Sequence, residues 1–156
     1  MTINFQMLKE ADSIVSAFEE SHIRYALAGG FAVAMYGFVR ATKDMDYLCH
    51  PDDVELAGKQ LLSLNYRAYA EPWTFRECGI SLHRFMKPSD GELFYVVDLL
   101  VPPPNRLHWI DAADRVAWGN EGHISVVTRE HLVEMKRLRN SSADRADISH
   151  LEGEGP

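Results

Sequence analysis

The sequence predicts an α/β (α+β) fold: a mixed central β-sheet flanked by helices, closed by helices at the C-terminus. Three observations carry this reading. Amphipathic helical segments stand at both ends, short β-rich apolar runs fill the middle, and a Lys-Pro-Ser-Asp-Gly turn joins two of those runs into a hairpin. At 156 residues, the chain can bury about two-thirds of its unfolded surface without a disulfide or a structural metal. We read residues 1–151 as one domain and 152–156 as a fraying tail.

Each element follows from its own pattern. Residues 5–19 place Leu8, Ala11, Val15 and Phe18, flanked by Met7 and Ile14, on one stripe of an amphipathic helix. Residues 24–28 read as a short strand, interrupted by Gly29-Gly30, after which the apolar stretch 31–36 forms a short buried helix. Residues 44–49 read as a strand. Pro51-Asp52-Asp53 then opens a helix running to Leu64, with a proline in its first turn and acids near its positive end. Residues 66–69 suggest a strand, 81–86 and 93–100 a hairpin, 110–116 a short helix, 119–122 a turn and 124–127 a last strand. Thr128 caps a helix to about Arg139, and residues 143–151 resume as helix.

Composition narrows the function. A 46% hydrophobic and 25% charged chain is an ordinary globular one, neither disordered nor collagenous. No apolar run approaches the ~18 residues of a membrane span, and the expected location is cytoplasmic. Cys49 and Cys78 read as buried thiols, too few for a thiolate zinc site. The seven histidines form no H-E-x-x-H pattern, so zinc is not expected of them, and His50 is read as a solvated strand-end residue. Trp73, Trp109 and Trp118 are read as core aromatics. A net charge of −7 argues against a protein that coats nucleic acid, because such affinity comes from lysines and arginines that displace counterions.

The informative chemistry lies in Gly29-Gly30, Asp44-Met45-Asp46 and Asp98. Strand residues at i and i+2 share a face, so Asp44 and Asp46 hold two carboxylates close together. Such a pair repels unless a proton or a hard cation compensates it, and magnesium prefers oxygen ligands. Asp98 sits in the apolar run 94–100, where an unpaired carboxylate is costly. It needs either the same cation, if its strand lies beside that of Asp44 and Asp46, or an arginine such as Arg40 or Arg84. Gly29-Gly30 permits close backbone approach to a phosphate. Taken singly, an Asp-x-Asp is commonly a surface feature and a Gly-Gly a turn; the conjunction, in this order, is the signal.

Leu27-Ala28-Gly29-Gly30-Phe31-Ala32, followed by Gly37-Phe38-Val39-Arg40-Ala41-Thr42-Lys43-Asp44-Met45-Asp46, resembles the opening signature of the DNA polymerase β-like nucleotidyltransferase superfamily. Within it, the chain is most similar to small bacterial members related to the abortive-infection nucleotidyl transferase toxins. Asp98 matches the later third carboxylate. Met135-Lys136 and Asp144-Arg145-Ala146-Asp147-Ile148 resemble the lysine helix and the D-x-x-D-I helix of those proteins.

The resemblance implies a nucleotidyltransferase fold and transfer of a nucleoside monophosphate from an NTP such as ATP to a hydroxyl acceptor, releasing pyrophosphate. It implies that Asp44, Asp46 and Asp98 are catalytic and bind two magnesium ions, manganese serving the same ligands. It also implies that Gly29, Gly30, Arg40, Thr42 and Lys136 contact the nucleotide. Transfer RNA, a protein or a small antibiotic are all compatible acceptors, and a toxin–antitoxin role with a cognate partner protein is compatible too. Two departures stand out: Gly30 replaces a common serine, and Ser141-Ser142 replace an arginine-proline pair. The alternatives are a catalytically silent binding or regulatory subunit of the same fold and a metal-dependent phosphohydrolase.

Overall fold

In the computed structural model, residues 5–38, 44–89, 94–139 and 142–153 are described. The chain runs α1 (Phe5–Glu20), β1 (Tyr25–Ala28), α2 (Gly29–Met35), β2 (Asp44–Cys49), a single 3₁₀ turn (Pro51–Asp53), α3 (Val54–Ser63), β3 (Arg67–Ala68), β4 (Trp73–Thr74), β5 (Ser81–Pro88) and β6 (Phe94–Val101). A second 3₁₀ turn (Pro104–Arg106) leads to α4 (His108–Asp111), β7 (Asp114–Trp118), β8 (Gly122–Val126), α5 (Arg129–Arg139) and α6 (Ser142–Leu151).

Among the described residues the strands form one mixed sheet in the order β3-β5-β6-β2-β1-β8-β7, with β4 paired to β5. β2 lies parallel to β6 and antiparallel to β1, while β5 and β6 form the expected hairpin. Strand alternation divides β2 between two environments. Tyr47 points toward α1, where Phe18, Tyr25 and Tyr47 meet edge-on at 5.5–6.2 Å between ring centres. Such edge-to-face contacts contribute about 0.5–1.5 kcal/mol each beyond their buried area. Asp44 and Asp46 therefore project from the opposite face.

Two expectations need correction. The buried stripe of α1 is Met7, Ala11, Ile14, Val15 and Phe18, whereas Leu8 is exposed, because the stripe is centred toward Met7 and Ile14. Residues 110–116 are not one helix: α4 ends at Asp111, and β7 pairs along its length with β8. The period in β7 is two, with Val116 and Trp118 half-buried between exposed neighbours and Arg115 bonded to Glu19 and Ser125. Trp73, left without an expected element, falls in the short strand β4.

Candidate active site

Registry on three adjacent strands builds the site. Asp46 of β2 stands opposite Asp98 of β6, and Asp98 stands opposite Arg84 of β5. Arg84, Asp98 and Asp46 thus form a row across the sheet, with Asp44 two residues along β2 on the same face. The strand bearing Asp98 does lie beside that of Asp44 and Asp46, and all three acids line one cavity of about 550 Å³.

Arg84 answers part of this charge. Its Nε and Nη2 donate to the two Asp98 oxygens at 2.8 and 2.9 Å, and Nη2 lies 3.6 Å from Asp44 Oδ2. Asp98 is itself buried, so the two-pronged pairing satisfies a carboxylate that would otherwise be strongly disfavoured. The shared acids hold the Arg84 guanidinium firmly in its charged form.

Asp46 lacks such relief. Among the described residues no side chain pairs with it, and Gly29 lies directly against its carboxylate. Gly29 has φ +64°, and a Cβ built there would fall 2.1 Å from Asp46 Oδ2, so only glycine fits on both conformational and steric grounds. The residue keeps some exposed surface, but its carboxyl group is enclosed by protein. Burial, then repulsion from Asp98 and Asp44, pushes its pKa up to about 7 against the opposing pull of Arg139 and Lys136. Oxygen donors with one enclosed carboxyl left uncompensated suit a hard divalent cation such as magnesium or manganese.

Across the cavity, α5 supplies Leu132, Met135, Lys136, Leu138 and Arg139. Lys136 is buried, with Nζ 3.0 Å from Asp147 Oδ2 and 3.6 Å from Asp144 Oδ1. Arg139 donates to both Asp144 oxygens at 2.5–2.6 Å. Asp144 and Asp147 are wholly buried on α6 at i and i+3, the spacing that puts both on the face meeting α5. Lys136 and Arg139 are therefore one side of an ion network whose lysine and two carboxylates are buried.

The third wall comes from residues the sequence reading did not assign to the site. Trp73, Phe75 and Glu77 line the cavity with Cys78, and the two rings are each 38% exposed. The Arg84 guanidinium lies 5.9 Å from the Trp73 ring centre. Trp73 is thus not a core aromatic, and Cys78 is half-buried where a buried thiol was expected. The period-two spacing of Trp73, Phe75 and Glu77 was the available signal, obscured by a β4 of only two residues. Of the other expected residues, Gly30 is buried in α2, while Arg40 and Thr42 lie outside the described residues. His50 is a capping group rather than a solvated one, its Nδ1 accepting from the Asp52 amide.

By sequence, the chain matches no family model and no curated protein. By structure it is similar to TM1012 of Thermotoga maritima, a candidate nucleotidyltransferase, at TM-score 0.63 and 14% identity over 95% of this chain and 96% of that one. It is similar to the lincosamide antibiotic adenylyltransferase LnuA, solved with lincomycin bound, at TM-score 0.64 and 13% identity over 99% and 100% of the two chains. It also resembles ANT(2'')-Ia in complex with adenylyl-2''-tobramycin, at TM-score 0.60 and 13% identity over 94% and 87%. Near-complete superposition on three such proteins, reached at so low an identity, establishes the architecture: this chain has the nucleotidyltransferase fold.

Proposed function

We propose that the protein is a metal-dependent nucleotidyltransferase that moves the nucleoside monophosphate of an NTP, ATP first among them, onto a hydroxyl of a small molecule, with pyrophosphate leaving. The observation that carries this is the row of acids on β2 and β6, three carboxylates on one cavity wall with Arg84 at the end of the row. Asp44, Asp46 and Asp98 would hold the divalent ions, which when bound supply charge neutralisation to the triphosphate and to the departing pyrophosphate. Gly29 leaves room against Asp46 where a larger residue would fill the cradle. Asp98 receives the proton of the acceptor hydroxyl as its oxygen bonds to the α-phosphorus and the bond to the β-phosphate oxygen breaks. For that, Arg84 must first release the Asp98 oxygens, and the face of Trp73 offers its cation a nearby resting place.

The acceptor reading rests on the third wall. Trp73, Phe75, Leu82 and Leu100 give the cavity an apolar side with Glu77 beside it, which suits a compact amphipathic molecule. The surplus of seven negative charges opposes RNA. The ligands of LnuA and ANT(2'')-Ia support an antibiotic-like acceptor over a toxin acting on RNA or protein. One observation favours a second reading, the silent binding subunit: Arg84 occupies both oxygens of Asp98.

Incubation with α-labelled NTPs, magnesium and a panel of lincosamides, aminoglycosides and transfer RNA separates these readings, with Asp44→Ala in parallel. Label should pass to a small molecule in the wild type only. Binding of nucleotide without turnover would establish the silent subunit, and release of free phosphate would establish a hydrolase.

A further inference from the structure

A second cluster of metal-ligating side chains stands apart from the acids. His131 and Glu134 project at i and i+3 from α5, and His108 comes from the short helix α4. One donor atom from each lies within 4.8 Å of the others. His108 Nε2 is 3.8 Å from Glu134 Oε2, and the two imidazoles meet edge-on with ring centres 5.0 Å apart. Two ligands of one zinc ion, each bound at about 2.0–2.2 Å, stand no more than about 4.4 Å apart. His108 is partly exposed at the surface, so a modest rotation of its side chain closes the set.

Two features mark this group as more than a surface ion pair. His131 Nδ1 is buried without a hydrogen-bond partner among the described residues, a deficit that a folded protein rarely leaves unanswered. Glu134 is also oriented from behind: its Oε1 accepts from Arg106, whose guanidinium lies over the Trp109 ring, leaving Oε2 turned toward His108. Ligating carboxylates and imidazoles are commonly held by such outer partners.

We propose that His108, His131 and Glu134 form a transition-metal site of zinc type, with three protein ligands and a fourth position open to water. Imidazole nitrogens select zinc, cobalt or nickel over magnesium, so this site and the acid row discriminate by donor chemistry. Its bound ion ties α4 to the first half of α5, the helix whose other face presents Leu132, Met135 and Lys136 to the cavity.

The test is zinc titration of chelator-stripped protein by calorimetry, with magnesium in large excess to occupy the acids, together with the visible spectrum after cobalt substitution. Wild type and Asp44→Asn should bind one zinc ion alike, give the cobalt ligand-field bands and melt at higher temperature with zinc. His108→Ala, His131→Ala and Glu134→Gln should each weaken binding at least about tenfold and lose the bands. His108 is exposed enough that its variant tests the site even if His131→Ala misfolds. Zinc affinity unchanged in His108→Ala, lost in Asp44→Asn, or undetectable in the wild type would each overturn the proposal.

Discussion

Two charged clusters face one another across the cavity, and they differ in balance. On α5 and α6, Lys136 and Arg139 pair with Asp144 and Asp147 at 3.6 Å or less. On the sheet, Arg84 pairs with Asp98 and lies near Asp44, and Asp46 has no side-chain partner among the described residues. Each cluster holds buried carboxylates, Asp98 on the sheet and Asp144 and Asp147 on α6, so depth does not distinguish them; the uncompensated carboxyl of Asp46 does. A balanced buried network holds two helices together, whereas an unbalanced one keeps affinity in reserve for a cation from outside.

The largest effect should come from unbalancing the balanced side. Asp147→Asn leaves Lys136 buried with its nearest counter-charge removed, which should cost about 3–5 kcal/mol in chemical denaturation. The opposite side should respond with the opposite sign. Asp46 carries a proton more readily in the fold than in the unfolded chain, so metal-free stability falls as pH rises from the ordinary carboxylate value of 3.8 to about 7. Asp46→Asn abolishes that penalty. In chelator it should be more stable than wild type by about 2–4 kcal/mol above about pH 7, with the difference vanishing under acid, while transfer activity is lost. Equal denaturation midpoints across the pH range would show that Asp46 is already compensated. The smallest effect belongs to Arg84→Gln, since the glutamine amide can still donate one hydrogen bond to Asp98: about 1–2 kcal/mol lost in chelator, with magnesium restoring more stability than it gives the wild type. Urea midpoints with and without magnesium measure both.

Much of this was legible in the sequence because it depends on period and order. The alternation of Asp44 and Asp46 fixed a shared face, and the apolar run around Asp98 marked a central strand whose carboxylate needed a partner. Arg84 was named as one such partner, and the hairpin registry puts it there. Pairings between distant segments were not legible. The β2–β6 registry, the burial of Lys136 by Asp144 and Asp147, and the meeting of His108 with His131 and Glu134 all depend on tertiary placement. The helix expected over 110–116 failed because Val116 and Trp118 answer to β8 and to α1, the indole Nε1 donating to Asp12. Local pattern carries no trace of either contact.

The parallel pairing of β2 with β6 has a consequence for how the molecule wears out. Its ladder lies at the centre of the sheet, so its amides should exchange with deuterium only through global opening, and the acids can lose their spacing no sooner than the whole protein unfolds. The wall bearing Trp73 hangs from two paired residues at an edge and can open alone. Warming should therefore loosen the apolar wall proposed for the acceptor well before it disperses the row of acids.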